Sequence, residues 1–412
     1  MENEFRKRPY CRILILWIAG VCLAAYLPEH ILFPIFLPLC IGLILLLFLS
    51  HFSSRNYPLY EQRGDWGILF SFLFLMLAIE YTYFRLRIPA LNLAMPLLSF
   101  CQEWQTRLLS TFDPLPLSDS EKSILGAICY GYKQSLSPEM RQQFSMAGAA
   151  HILAVSGFHV GVVYSLLRTI GKQPPFSLLP PRATWVISLV FIWLFAAITG
   201  LAPSAVRAAS MLSLAIIAQI IDRKRDRFNI VWASAFWMLV YNPFYLFDLG
   251  FELSYAAVLS ILFFYPRINE WLHLSELFNP IVQTAWQWLV IALAAQIGTL
   301  PLCFYYFGEV SSIALLSALP ITLFSTCLIP ISLLWSLLSL CGYEFSLLSS
   351  CITGLTHGFL GVIERMGQIP PFRFNCPYFI WFSPLLYLIL IGACVYIGIV
   401  AKHFESSQLI DC

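Results

Sequence analysis

Apolar runs of roughly 16 to 25 residues recur along the whole chain, near 13–27, 31–50, 66–84, 149–169, 184–201, 204–221, 229–247, 248–265, 281–305, 311–340 and 378–400. A hydrocarbon core about 30 Å thick needs roughly 20 helical residues to cross it. The runs are therefore read as membrane spans. The fold class is all-α: a polytopic transmembrane helical bundle of about 10–12 spans, with amphipathic helices at the interface. Composition agrees, because only 11% of residues are charged and 59% are hydrophobic, against about a quarter charged in soluble domains. The run 311–340 is too long for one upright helix.

The basic residues orient the stack. Arg6, Lys7, Arg8 and Arg12 lead the first run, Arg55 and Arg63 follow the second, Arg168, Lys172 and Arg182 follow the fourth, and Arg223-Lys224-Arg225 with Arg227 follow the sixth. Alternate loops are thus basic, which places them and the N-terminus in the cytoplasm. The first run is expected to be a retained signal-anchor helix, since no small-x-small cleavage site follows it. Segment 85–148 then lies outside. Its lysines and arginines do not count against this, because long translocated loops escape the rule.

Within that segment, residues 93–112 have apolar residues at helical spacing among polar ones, the mark of an interfacial helix. Pro114 and Pro116 end it, and Ser118 with Glu121 forms a capping-box pattern for the next helix. Residues 343–369 mix His357, Glu364 and Arg365 with apolar residues and read as more interfacial than spanning. Four regions are expected: N-terminal transmembrane helices over 1–92, an outer-face helical segment over 93–148, a channel-like transmembrane domain over 149–342, and an interfacial helix, last span and tail over 343–412. The 12 cysteines have no Cys-x-x-Cys or Cys/His ligand spacing and read as small buried hydrophobes.

Four stretches put polar or helix-breaking residues where lipid favours leucine. The first is His151-Ile-Leu-Ala-Val-Ser156-Gly157-Phe-His159-Val-Gly161. On one helix its two histidines stand ~12 Å apart along the axis and ~80° around it, a spacing at which one metal is hard to share. A break at Ser156-Gly157 changes that spacing. Each histidine bonds a neighbouring helix, lines a cavity or, least favoured by the spacing, takes part in metal or catalytic chemistry. The second runs from Thr199 to Ser210, where a Gly-x-x-Pro turn puts Arg207 one turn into the following span. There it either snorkels to the outer interface or faces inward toward an anion.

The third is Asn242-Pro243 through Asp248-Leu-Gly250-Phe-Glu252-Leu-Ser-Tyr255. Asp248 and Glu252, at i and i+4, share a helix face. Either is a candidate partner for Arg207, and Asp248 alternatively caps a helix. The fourth, Gly298-Thr-Leu-Pro301 with Phe307-Gly308, suggests either a broken helix lining a cavity or a packing kink.

In this order the four stretches resemble the transmembrane competence domain of the ComEC family, the inner-membrane DNA-uptake proteins. The resemblance rests on His-x-Leu-Ala-x-Ser-Gly-x-His-Val-Gly at 151–161, Thr-Gly-x-x-Pro-Ser-x-x-Arg-Ala at 199–208, Asn-Pro and Asp-x-Gly-Phe-x-Leu-Ser-Tyr at 242–255, and Gly-x-x-Pro with Phe-Gly at 298–308. The chain departs from larger members. It has no room for their oligonucleotide-binding-like β-domain in the first outer loop. It has no His-x-His-x-Asp-His of their metallo-β-lactamase-like domain, and Glu252 stands where the family often has Gln.

The resemblance implies a channel passing single-stranded DNA inward during natural transformation, in a bacterial inner membrane. Its implied partners are the DNA strand, an outer DNA-receptor protein, a cytoplasmic ATP-driven translocase or single-strand-binding proteins, the lipid bilayer, and a second copy of the chain in a homo-oligomer. His151, Ser156, Gly157, His159, Arg207, Asp248, Glu252, Gly298 and Pro301 are expected to line or brace the path. No catalytic, metal or cofactor role is assigned. No Gly-x-x-x-x-Gly-Lys-Ser/Thr loop is present, so a partner must supply the energy. Two alternatives stand beside this reading. One is a transporter of another anionic solute or polymer. The other is an intramembrane serine hydrolase built on Ser156, for which a base is expected from another helix.

Overall fold

Proline and short polar side chains set where the helices begin. In the computed structural model, α1 (Pro9–Tyr26) starts on a proline, as do α5 (Pro138–Met146), α7 (Pro181–Ile198) and α8 (Pro203–Ile220). Proline suits this position because its missing N–H has no intrahelical partner there. Ser137 caps α5 through the N–H of Met140, and Asp226 caps α9 (Arg227–Tyr241) through those of Phe228 and Asn229. The structure describes residues 8–27, 41–42, 44, 63–87, 95–153, 155–221, 226–271, 279–307, 309–310, 313–369 and 372–373. The expected spans near 31–50 and 378–400 lie outside these residues, as do Arg6, Lys7, Arg55, the 223–225 cluster and Gly308.

The other helices are α2 (Arg63–Arg87), α3 (Met95–Ser110), α4 (Asp119–Tyr130), α6 (Gly157–Gly171), α10 (Leu249–Trp271), α11 (Pro280–Phe307), α12 (Ala314–Leu340) and α13 (Ser346–Gly367). A two-residue strand, β1 (Glu309–Val310), pairs antiparallel with β2 (Phe372–Arg373). Seven of the helices, α1, α7, α8 and α10 to α13, are long and apolar enough to cross a membrane. The protein is an all-α polytopic membrane bundle.

The chain forms two compact units. The first holds residues 1–110 and 156–255, the second 111–155 and 256–412. In the first, α1 packs on α2 and α9, successive helices from α6 to α9 pack on one another, α6 also meets α8, and α3 lies on α7. α1 and α9 run side by side: Arg8 bonds Asp226 at 2.8 Å at one end, and Trp17 meets Phe236 further along. The starts of α1 and α9 thus share one end of the unit, as the basic-loop pattern requires. α1 and α2 are also parallel, with Tyr83 donating to the Leu27 carbonyl. The connection between them contains the expected 31–50 span.

In the second unit, α12 packs on α4, α11 and α13, and α13 on α5. Residues 111–155 are fastened to α12 by buried hydroxyls. Tyr130 donates to Ser336 at 2.6 Å, Thr111 and Ser336 share a bond at 2.8 Å, the Trp335 indole donates to the Thr111 carbonyl, and Ser317 donates to the Ala147 carbonyl.

Several expected boundaries move, each for a local reason. The run 149–169 is not one helix. A turn occupies its first residues and α6 begins at Gly157, where Ser156 and His159 make a reciprocal cap. α9 stops at Tyr241, because Asn242 is forced into an extended conformation before Pro243 and its side chain caps a 3-10 turn, Pro243–Phe247. The run 311–340, read as too long for one upright helix, is the single helix α12 of 27 residues, with Pro320 and Pro330 inside it. α11 continues through Gly298 and Pro301, so of the two alternatives left open there the broken helix is not the one found. Neighbouring helices and nearby hydroxyls make an internal proline tolerable in a membrane helix. α13, read as more interfacial, is 22 residues long and meets the length and composition of a span.

Candidate functional site

The four motif stretches fall into both units, and the first unit holds the most charged of them. Arg207 sits one turn into α8 and is 4% exposed. A cation at that depth needs a partner, and α10 supplies it. The turn Pro243–Phe247 delivers Asp248 to the start of α10, where its Oδ1 accepts the Phe251 N–H at 2.8 Å. The same Oδ1 lies 3.8 Å from Nη1 of Arg207, and Nε of Arg207 donates to Ser254 Oγ at 3.1 Å. Of the two carboxylates expected as partners, Asp248 makes the ion pair, and it is also the cap. Glu252, one turn on, is half-buried.

A file of aromatic rings runs beside this pair. Tyr241 stacks with Tyr245, Tyr245 with Phe251, and Phe251 meets Tyr255 with centroids 4.4 Å apart. Tyr241 is exposed and Tyr255 buried. The Tyr255 hydroxyl shares a bond with Ser234 of α9 at 3.2 Å. On the α7–α8 turn, Leu201 has a positive φ of 53°, a left-handed conformation that residues carrying a Cβ rarely adopt.

α6 brings the first stretch to the same helix pair. A side chain on Gly157 would meet the Ala208 Cβ at 3.6 Å, so the start of α6 lies against the residue after Arg207. His159 is fully buried. Its Nδ1 is 3.1 Å from the Ser156 backbone N and 3.0 Å from Ser156 Oγ. An amide N–H only donates, so Nδ1 is an acceptor and the neutral ring carries its proton on Nε2. The antiparallel neighbours α6, α7 and α8 put the α6 and α8 N-termini at one end, and the Arg207 pair brings that of α10 to it. Each presents the positive end of a helix dipole there.

The second unit holds the remaining expected residues. His151 is exposed in the turn between α5 and α6. Gly298 is where α11 crosses α10: a Cβ there would stand 2.5 Å from Ser260 Cβ and 2.7 Å from the Ala256 carbonyl. Ser260 also donates to the Ala294 carbonyl. Gly298 thus has a packing role. Among the described residues no three His, Cys, Asp or Glu side chains are grouped to hold a metal.

Sequence reasoning passed over two members of this site. Ser254 and Tyr255 stand inside the quoted motif yet were not singled out. The signal was available, because positions 248, 251, 252 and 255 recur at three and four residues along one face. Ser254 is off that pattern, and Nε of Arg207 reaches it all the same.

A bundle of membrane helices with a buried arginine paired across two spans defines a polytopic membrane protein with a charged interior. Residues 128–400 match the family model described as Competence protein, and the chain belongs to that family. It is 26% identical over 215 residues to ComE operon protein 3 of Bacillus subtilis (strain 168), covering 52% of this chain and 26% of that protein. It is 27% identical over 223 residues to Competence protein ComA of Neisseria gonorrhoeae, covering 52% of this chain and 30% of that one. An uncharacterized protein of Aquifex aeolicus (strain VF5) is 31% identical over 131 residues, covering 32% of this chain and 30% of its own. The matched region is thus under a third of each relative's length. No solved structure matches the chain.

Proposed function

We propose that the chain is a channel for the inward passage of single-stranded DNA across a bacterial inner membrane during natural transformation. The observation that carries this reading is the buried Arg207, held at the end of the unit where the N-termini of α6, α8 and α10 gather. A polyanion crossing a membrane needs positive potential that water does not screen. Helix dipoles and a fixed guanidinium supply it without mobile counterions. The aromatic file beside Arg207 offers ring faces on which bases stack, whatever the sequence. Membership of the competence family and the relatives' names support the same process.

On this reading the N-terminus is cytoplasmic and the Arg207 end faces outward, where an outer DNA-receptor protein hands over the strand. A cytoplasmic ATP-driven translocase or single-strand-binding proteins pull it through, and the chain itself catalyses no reaction. The test is replacement of the gene in a transformable host by alleles carrying Arg207→Ala, His159→Ala or His151→Ala. Transformation should fall by orders of magnitude for Arg207→Ala at normal protein abundance. Undiminished transformation in that strain rejects the channel reading.

One observation favours a second reading. Ser156 Oγ and His159 Nδ1 are 3.0 Å apart, the spacing of a nucleophile and its base. The expected base from another helix is instead three residues along the same one. Against it, the Ser156 amide competes for the single Nδ1 lone pair. Labelling by a fluorophosphonate probe, lost on Ser156→Ala, would favour the hydrolase.

A further inference from the structure

We infer that Gly250 is a positioning residue for Arg207: its missing side chain forms the slot in which the guanidinium lies against the first turn of α10. A Cβ built at Gly250 would stand 3.2 Å from Nη2 and 3.8 Å from Nη1 of Arg207, and 3.1 Å from Oδ1 of Asp248. The two closest distances are tighter than ordinary carbon contacts. The atoms they press on are both halves of the ion pair. Neither half is free to give way. Arg207 Nε is tied to Ser254 Oγ, and Asp248 Oδ1 is tied to the Phe251 N–H. A side chain at 250 therefore has to push the guanidinium or the Asp248 carboxylate aside by a few tenths of an ångström, against those two bonds.

The usual effect of such an exchange runs the other way. Gly250 is the second residue of a helix, and replacing a helical glycine by alanine ordinarily stabilises. Stability thus separates the slot from a merely tolerated glycine by sign. The functional consequence rests on the channel reading above; the slot itself rests on geometry alone.

The experiment is a melting cycle on the full chain in detergent micelles, with Gly250→Ala made in the wild-type and in the Arg207→Lys background. Lysine ends in one nitrogen and has no Nη2 to collide. Gly250→Ala should lower the melting temperature in the wild-type background and raise it or leave it unchanged with Arg207→Lys. Arg207→Met, similar in length and without nitrogen, serves if the lysine variant does not accumulate. Equal shifts in the two backgrounds, or a rise in the wild-type background alone, overturn the inference. Transformation adds a separate arm. Gly250→Ala at normal abundance should lower transformation at least tenfold, while Gly361→Ala, at a glycine with open space beside it, changes nothing. The expected melting cycle with normal transformation would uphold the slot and reject the channel role of Arg207.

Discussion

The Arg207 guanidinium and the Asp248 carboxylate, 3.8 Å apart, sit in opposite surroundings: the Arg207 side chain is 5% exposed and that of Asp248 52%. Water reaches the anion, while the cation depends on protein. Asp248 has two separable duties, because Asn caps a helix about as well as Asp but carries no charge. Asp248→Asn is expected to cost about 1–3 kcal/mol, between an exposed and a buried pair, because it leaves the buried guanidinium without its counter-charge. Asp248→Ala should cost about 1 kcal/mol more, for the lost cap. Thermal melts of the two variants in detergent check the order. Equal losses would show that Asp248 acts only as a charge.

His159 sets the start of α6 through a single lone pair. The acceptor at Nδ1 takes the Ser156 N–H, which no earlier turn of helix could satisfy. An Asn side chain places its carbonyl oxygen near the position of Nδ1, so His159→Asn should keep the cap where His159→Ala loses it. The expected melting order is wild type, His159→Asn, then His159→Ala, with the last step costing about 1 kcal/mol for the cap besides the cavity. Ser156→Ala keeps the amide contact and loses only the hydroxyl half of the reciprocal cap, so it should cost less than His159→Ala. A Ser156→Ala loss larger than that of His159→Ala would assign the cap to the hydroxyl instead.

The all-α, membrane-spanning class was legible because it is written in composition, as apolar length. Arg8 against Asp226 brings the α1 and α9 starts together, and Arg207 against Asp248 brings the α8 and α10 starts together. Boundaries set by single residues were less so. Ser156 looked like an interruption of one long span and is the start of a shorter helix, because a histidine at the third position can stand in for the Glu of a capping box. Gly298 and Pro301 left a break and a packing role equally open, and α11 runs through them. A glycine that permits close approach and one that permits bending look the same in a sequence; the neighbour decides, and here it is Ser260. Sequence spacing offered Arg207 two carboxylates equally. The choice of Asp248 depends on the 3-10 turn Pro243–Phe247, which aims the start of α10.

That close approach gives its own prediction. Gly298→Ala forces α10 and α11 apart, since the added carbon would meet Ser260 Cβ at 2.5 Å and the Ala256 carbonyl at 2.7 Å. Backbone is one of the two obstacles, so side-chain rotation does not relieve it. The expected cost is about 1–3 kcal/mol, typical of an overpacked interior. Ser260→Gly in the same chain should recover only part of it, because the carbonyl stays and the Ser260 bond to Ala294 is lost. Full recovery in the double variant would mean that the carbonyl contact relaxes freely.

The acid side of the stability curve is expected to depend on Glu121. Burial alone would raise its carboxyl, but the Ser118 N–H and O–H both donate to Oε2 at 2.8 Å, and His357 Nε2 stands 3.1 Å from Oε1. The net result holds the carboxyl below its ordinary value of 4.5. A group whose folded value is depressed contributes stability that is fully present above the unfolded value and lost as pH falls through the folded one. The second unit should therefore weaken on acidification from about pH 4.5 downward, and Glu121→Gln should flatten that slope, since Gln keeps the shape of the box without a titrating proton. At pH 7, Ser118→Ala should cost about 1 kcal/mol, because it removes the hydroxyl that both accepts from the Glu121 N–H and donates to its carboxylate. Melting curves of wild type and Glu121→Gln taken between pH 3 and 7 test this; curves that stay parallel below pH 4.5 would remove Glu121 from the acid response.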